Sequence, residues 1–87
     1  MRVRRLDADW MQQLDERLTE YLDSQGWATA AIIAREAWTS ASQARIRERF
    51  RWLQYAGFVV PFAGDCYELT TWGQLYLSGE LDPTNQS

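Results

Sequence analysis

Histidine and lysine are both absent from this chain, cysteine occurs once, at Cys66, and proline twice. Without imidazole, histidine-based acid–base chemistry, serine–histidine triads and histidine-ligated zinc are excluded within one chain. A lone cysteine excludes an intrachain disulfide and a thiolate metal cluster. No apolar run approaches the roughly 18 residues that span a bilayer. The opening MRVRRLDADW starts positive but has no apolar stretch behind it, so a secretory signal is not expected. These absences lead us to expect a cytoplasmic protein that is no enzyme, needs neither metal nor cofactor, and shows no evident small-molecule effector site.

The missing lysine says more. All nine basic residues are arginine, set against twelve acidic ones, for a net charge of −3. A negative surface is a lever that halophiles use, and lysine is the cation such surfaces discard first. Composition therefore points to a halophilic archaeon. Eighty-seven residues suit a single domain, here read as 1–87 with an ordered core over about 7–82. A chain this short buries only about 60% of its unfolded surface, which makes a partner subunit useful.

Helical spacing of Trp10, Leu14, Leu18 and Leu22 predicts a first helix capped by Asp9, with Gln12 completing the box. That register turns Asp15, Glu16, Arg17 and Glu20 outward. Gly26 ends it. Thr29 caps a short second helix through about Ala37, offering Ile32, Ile33 and Ala37 to the core. Ser40 and Gln43 form a capping box for a third helix, on which Ile46, Phe50 and Leu53 share one face and which Gly57 ends. Two strands, 58–63 and 66–70, join around Gly64-Asp65, a pair suited to positive φ, with Pro61 on an unpaired edge. Thr71 and Gln74 repeat the box to open a last helix that carries Trp72, Leu75 and Tyr76. The predicted fold is mainly α with a small β-hairpin, in the order α-α-α-β-β-α: a winged helix-turn-helix.

In that design the third helix enters the major groove of DNA, whose width of about 12 Å admits it. This helix carries Arg45, Arg47, Arg49 and Arg51 against Glu48, a local charge of 4 − 1 = +3. Stepping about 100° per residue from Ile46 puts Gln43, Arg47 and Arg51 on one flank, with Ser40 at the helix mouth. Arg45, Arg49 and Trp52 fall on the other flank, where pairing with Glu36, Glu48 or other carboxylates, or a roof of the core, suits them. The expected roles are Gln43 and Arg47 on base edges, Ser40 and Arg51 on phosphates, and Arg35 as a further backbone contact. Gln43 is equally open to consumption in its capping box. The hairpin has no basic side chain and places Asp65 at its tip, so it cannot insert an arginine into the minor groove. Trp72, Leu75 and Tyr76 form a patch that is either ordinary core or a dimer contact.

The segments DADWMQQLDERLTEYLDSQG, SASQARIRERFRWL with AGFVV behind it, and YELTTWGQLYLSGELD resemble the haloarchaeal winged-helix proteins similar to the phi-H virus repressor. The last segment, with Leu-Thr leading into Gly73, is the most specific to that family. The likeness runs from about Asp7 to Asp82. It implies a small DNA-binding transcription regulator, with a reading helix beginning near Ser40. Together with the geometry above, the expectation is a repressor-like, sequence-specific binder of double-stranded DNA that acts as a homodimer. The competing reading is a winged-helix module for protein–protein interaction without DNA binding.

Overall fold

A computed structural model describes residues 11–79. Asp9 and Trp10, named above for the first helix, lie outside them, as do the outer parts of the 7–82 core. Helix α1, Gln13–Gln25, is capped at Gln12, three residues later than predicted. The cause is Asp15. Its Oδ2 accepts the Gln12 amide at 2.9 Å and satisfies one of the orphan donors of the first turn. Gly26 closes the helix at φ 89°, its amide bonded to the Leu22 carbonyl at 2.8 Å.

Strand β1, Ala28–Thr29, is only two residues long. Thr29 is also the cap of α2, Ala30–Ala34, accepting the Ile32 amide at 3.1 Å. The helix stops short of Ala37 because the Arg35 and Glu36 amides bond back three residues, to Ile32 and Ile33, which tightens the last turn and ends it. Ile33 is buried as expected; Ile32 and Ala37 are exposed. Helix α3, Gln43–Tyr55, takes its cap from Ser42, whose hydroxyl accepts the Arg45 amide at 3.1 Å. Ser40 therefore caps nothing, and no Ser40–Gln43 box forms.

Strands β2, Val59–Phe62, and β3, Cys66–Leu69, make the hairpin. β3 is central in an antiparallel sheet of order β1-β3-β2, so the hairpin is part of a three-stranded sheet. Pro61 lies on the edge strand β2, where its missing amide hydrogen costs no ladder bond to a further strand. Ala63 and Gly64, rather than Gly64 and Asp65, have positive φ, at 41° and 64°. Helix α4, Thr71–Leu77, is capped by Thr70, which accepts the Gly73 amide at 3.1 Å; the predicted Thr71–Gln74 box is displaced by one residue.

The core lies between α1, α2, α3 and the sheet: Leu18, Leu22, Ile33, Ile46, Phe50, Leu53, Phe58 and Val59 are all buried. Phe50 stacks on Tyr67 with ring centroids 4.5 Å apart, tying α3 to β3, and Phe58 stacks on Tyr76 at 5.2 Å, tying the wing to α4. Among the described residues no helix is long and apolar enough to cross a membrane.

Candidate nucleic-acid interface

The same 3.6-residue repeat that buries Ile46, Phe50 and Leu53 decides what α3 shows to solvent. Gln43, Arg47 and Arg51 are all exposed. Among the described residues none of the three side chains makes a hydrogen bond or an ion pair. With Ser42 as the cap, the Gln43 amide is not spent on capping, which settles the alternative left open by its position.

The opposite flank has a different fate. Arg49 is 4% exposed and Asp15 fully buried. Arg49 Nε donates to Asp15 Oδ1 at 2.8 Å and one terminal nitrogen donates to Oδ2 at 2.7 Å. Asp15 thus faces inward rather than outward, and Arg49 is paired with it instead of with Glu36 or Glu48. The hydrogen bond to Asp15 raises the Arg49 pKa above its ordinary value, against a smaller opposing effect of burial. The guanidinium carbon also sits 5.7 Å from the Trp52 ring centroid, within cation–π range. Arg45 donates to the side-chain oxygen of Gln12. Glu36 accepts the Tyr21 hydroxyl at 3.0 Å. The exposed charge of α3 is therefore three arginines against Glu48, 3 − 1 = +2.

Gln43 and Arg47 come together in a cleft of about 150 Å³. Its other walls are Thr29 and Ala31 at the start of α2, Gly64 and Asp65 at the wing tip, and Tyr67 of β3. Arg51 is exposed on the same flank but outside this cleft. Ser40 is not with them. It lines a separate cleft with Gln13, Arg17 and Trp38, beside α1. Arg35 is exposed at the C-cap of α2 and lines neither.

The patch on α4 divides. Tyr76 is fully buried and stacked on Phe58, so it belongs to the core and offers nothing to a second subunit. Leu75 is partly buried against the core, and Trp72 is exposed.

Helices α2 and α3 joined by the eight-residue connection 35–42, followed by a hairpin whose tip lines a cleft with α3, define the architecture. The chain is a winged helix. Its structure is similar to the crystal structure of the PhiH1 repressor-like protein from Haloarcula marismortui, with a TM-score of 0.89 and 25% sequence identity over 93% of this chain and 92% of that one. No family model matches the chain. No curated protein matches it. The resemblance read from the sequence and the likeness found in the structure point to the same winged helix.

Residue reasoning missed three parts of this site. Asp65 was noted as acidic but not as a wall shared with Arg47. Thr29 and Tyr67 were read as a cap and a strand residue, and the register Ala28↔Tyr67 that brings β1 against β3 needs coordinates, since two residues show no alternation. Tyr55, 88% exposed at the end of α3, was also passed over. An aromatic facing away from Ile46 by about 180° was the available signal. Among the described residues no group of three acidic, cysteine or histidine side chains is placed to hold a metal.

Proposed function

We propose that this chain is a repressor-like regulator that binds double-stranded DNA sequence-specifically, with α3 in the major groove. Gln43 and Arg47 take base edges, and Arg51 holds a phosphate. The observation that carries this is the contrast within one helix: Arg49 is consumed by Asp15, while Arg47 and Arg51 stand exposed with their donors unspent. Arginine's planar fork matches guanine O6 and N7 and the phosphate oxygens. The fold likeness to a repressor-like protein supports the same reading. We extend it to Arg35 and Ser40 as outer phosphate contacts, and to a homodimer that uses Trp72 and Leu75 to set two reading helices about 34 Å apart.

The test is selection of bound duplexes from a random pool in multimolar KCl, with the wild type beside an Arg47→Ala/Arg51→Ala variant. Palindromic enrichment by the wild type, lost in a folded variant, is the expected outcome. Absence of enrichment at every salt concentration overturns the reading.

A second reading has its own support. Trp27, Val60 and Phe62 are 48%, 40% and 45% exposed. The strand registers put Val60 opposite Glu68 and Phe62 opposite Cys66, so both alternate to one face of the sheet. A protein-interaction module would use this face, and its partner would be lost on changing Trp27 and Phe62 while Arg47 and Arg51 were dispensable.

A further inference from the structure

Asp65 of the wing tip lines the same cleft as Arg47 and Gln43. Asp65 and Arg47 do not form an ion pair. A cleft lined by an unpaired arginine and a carboxylate offers both donors and acceptors to whatever enters it. Ala63 at φ 41° and Gly64 at φ 64° turn the chain at the tip, just before Asp65.

A carboxylate at a DNA-facing tip has two prospects. Against phosphate it is repelled. Against the major-groove edge of a base it accepts from an exocyclic amine, and the amine it suits is cytosine N4. Guanine presents N7 and O6, both acceptors, with the N4 amine of its paired cytosine next to O6 along the groove floor. A G·C pair therefore displays acceptors and then a donor, the complement of Arg47 and then Asp65. We propose that Asp65 is a specificity-determining residue, and that the Arg47–Asp65 cleft reads a single G·C pair, with the guanine edge on Arg47 and the cytosine amine on Asp65. This rests on the DNA-binding reading above. The acidic wing then becomes an instrument of selection: it lowers affinity for duplexes at large and keeps it where the amine is in place.

Selection from random duplexes in multimolar KCl with the wild type, Asp65→Ala and Asp65→Asn, all full-length, tests this. Asp65 is exposed in a turn, so the substitutions leave the core intact. The wild type is expected to enrich a fixed G·C pair in each half-site. Asp65→Ala should relax that position alone, by roughly 10-fold or more, while binding to random duplex strengthens. Asp65→Asn, which adds a donor, should move the preference there away from cytosine. If Asp65→Ala strengthens binding to every duplex equally, Asp65 only repels phosphate and the proposal is overturned. Unchanged affinity and preference overturn it as well, with the wing tip clear of the duplex. Wild-type protein that enriches nothing overturns the DNA-binding reading and this proposal together, whereas enrichment unaffected by Asp65→Ala removes this proposal alone.

Discussion

Arg49 of α3 and Asp15 of α1 are locked in a two-bonded pair, Nε to Oδ1 at 2.8 Å and a terminal nitrogen to Oδ2 at 2.7 Å. Oδ2 also accepts the Gln12 amide at 2.9 Å, so one carboxylate caps α1 and anchors α3. Both partners are shielded from water, and ions in the solvent screen such a pair far less than a surface one. The orientation of α3, and with it the direction of Arg47 and Arg51, is fixed by a link that survives in brine.

Removal of one partner leaves the other charged and buried. We expect Arg49→Ala and Asp15→Ala each to lower stability by about 3–5 kcal/mol. That is a large share of the ~5–15 kcal/mol available to a small domain. An Asp15→Leu/Arg49→Met double variant should recover most of the loss, since an apolar pair needs no desolvation of charge. Urea denaturation of the wild type, the two alanine variants and an Asp15→Ala/Arg49→Ala double variant forms a complete cycle. Near-additive losses would mean that the pair contributes no coupling and that the anchoring argument is wrong.

How legible was this in the sequence? The helices and hairpin were, because Leu14, Leu18 and Leu22, and then Ile46, Phe50 and Leu53, repeat at helical spacing and Gly64 marks the turn. Thr29 caps α2 as expected, but the other three caps were misplaced for one reason: Asp9, Ser40 and Thr71 satisfy the capping pattern as well as the residues that took the role. Choice among adjacent polar residues depends on where the core pulls the first turn. Asp15 was misjudged because its position on the helix wheel is polar by residue type, and its partner Arg49 lies 34 residues away. That Gln43 and Arg47 share an exposed flank of α3 follows from periodicity alone. Their enclosure by Asp65 required the sheet register, which no local pattern encodes.

Gly73, in the segment that resembles the repressor family, has a physical reason to be glycine. A Cβ built there would stand 2.4 Å from the Phe58 carbonyl oxygen and 2.6 Å from Leu69 Cδ1. The carbonyl is backbone and cannot swing aside. Alanine's helix propensity favours the substitution by about 1 kcal/mol, but overpacking costs typically 1–3 kcal/mol and more against backbone. Gly73→Ala should therefore lower Tm, with the hairpin displaced from α4. A Tm equal to or above that of the wild type would show that the approach of α4 to Phe58 is looser than described.

Ala63 is the converse case. Its φ of 41° is left-handed, a region that costs an L-residue about 1–2 kcal/mol and glycine almost nothing. Glycine returns part of this through the greater freedom of the unfolded chain, roughly 0.4–1 kcal/mol. The net expectation for Ala63→Gly is a gain of about 0.5–1 kcal/mol, seen as a rise of several degrees in Tm. A fall in Tm would place Ala63 in an unstrained turn.

Tyr21 gives the molecule an alkaline limit. Burial first, and then its hydrogen bond and proximity to Glu36, raise its phenol pKa above the usual 10.0. The folded state holds that proton more tightly than the unfolded one. The resulting stability is complete below pH 10 and declines as pH rises through the folded pKa. Tyr21→Phe should flatten the decline above about pH 10, and the late-ionising phenol should vanish from the ultraviolet titration. Identical alkaline curves for the two proteins would mean that the hydroxyl is open to water.

Arg47 and Arg51 are one helical turn apart, yet the proposed function separates them by what they touch, and salt distinguishes the two. A phosphate contact releases about 0.9 counterion, so its loss reduces the slope of log K against log salt by about that amount and weakens all sequences alike. A base contact leaves the slope nearly unchanged and lowers discrimination at one position, by about 1–3 kcal/mol. Arg51→Ala should flatten the slope while preserving the selected site; Arg47→Ala should keep the slope and relax the site. The Debye length is only about 3 Å at 1 M salt, so long-range attraction cannot blur the distinction there. Exchange of the two signatures would mean that α3 lies in the groove turned about its own axis, with Arg51 toward the bases. Loss of slope in both variants, with the site intact, would mean that the whole flank holds backbone and that Gln43 and Asp65 carry the reading between them.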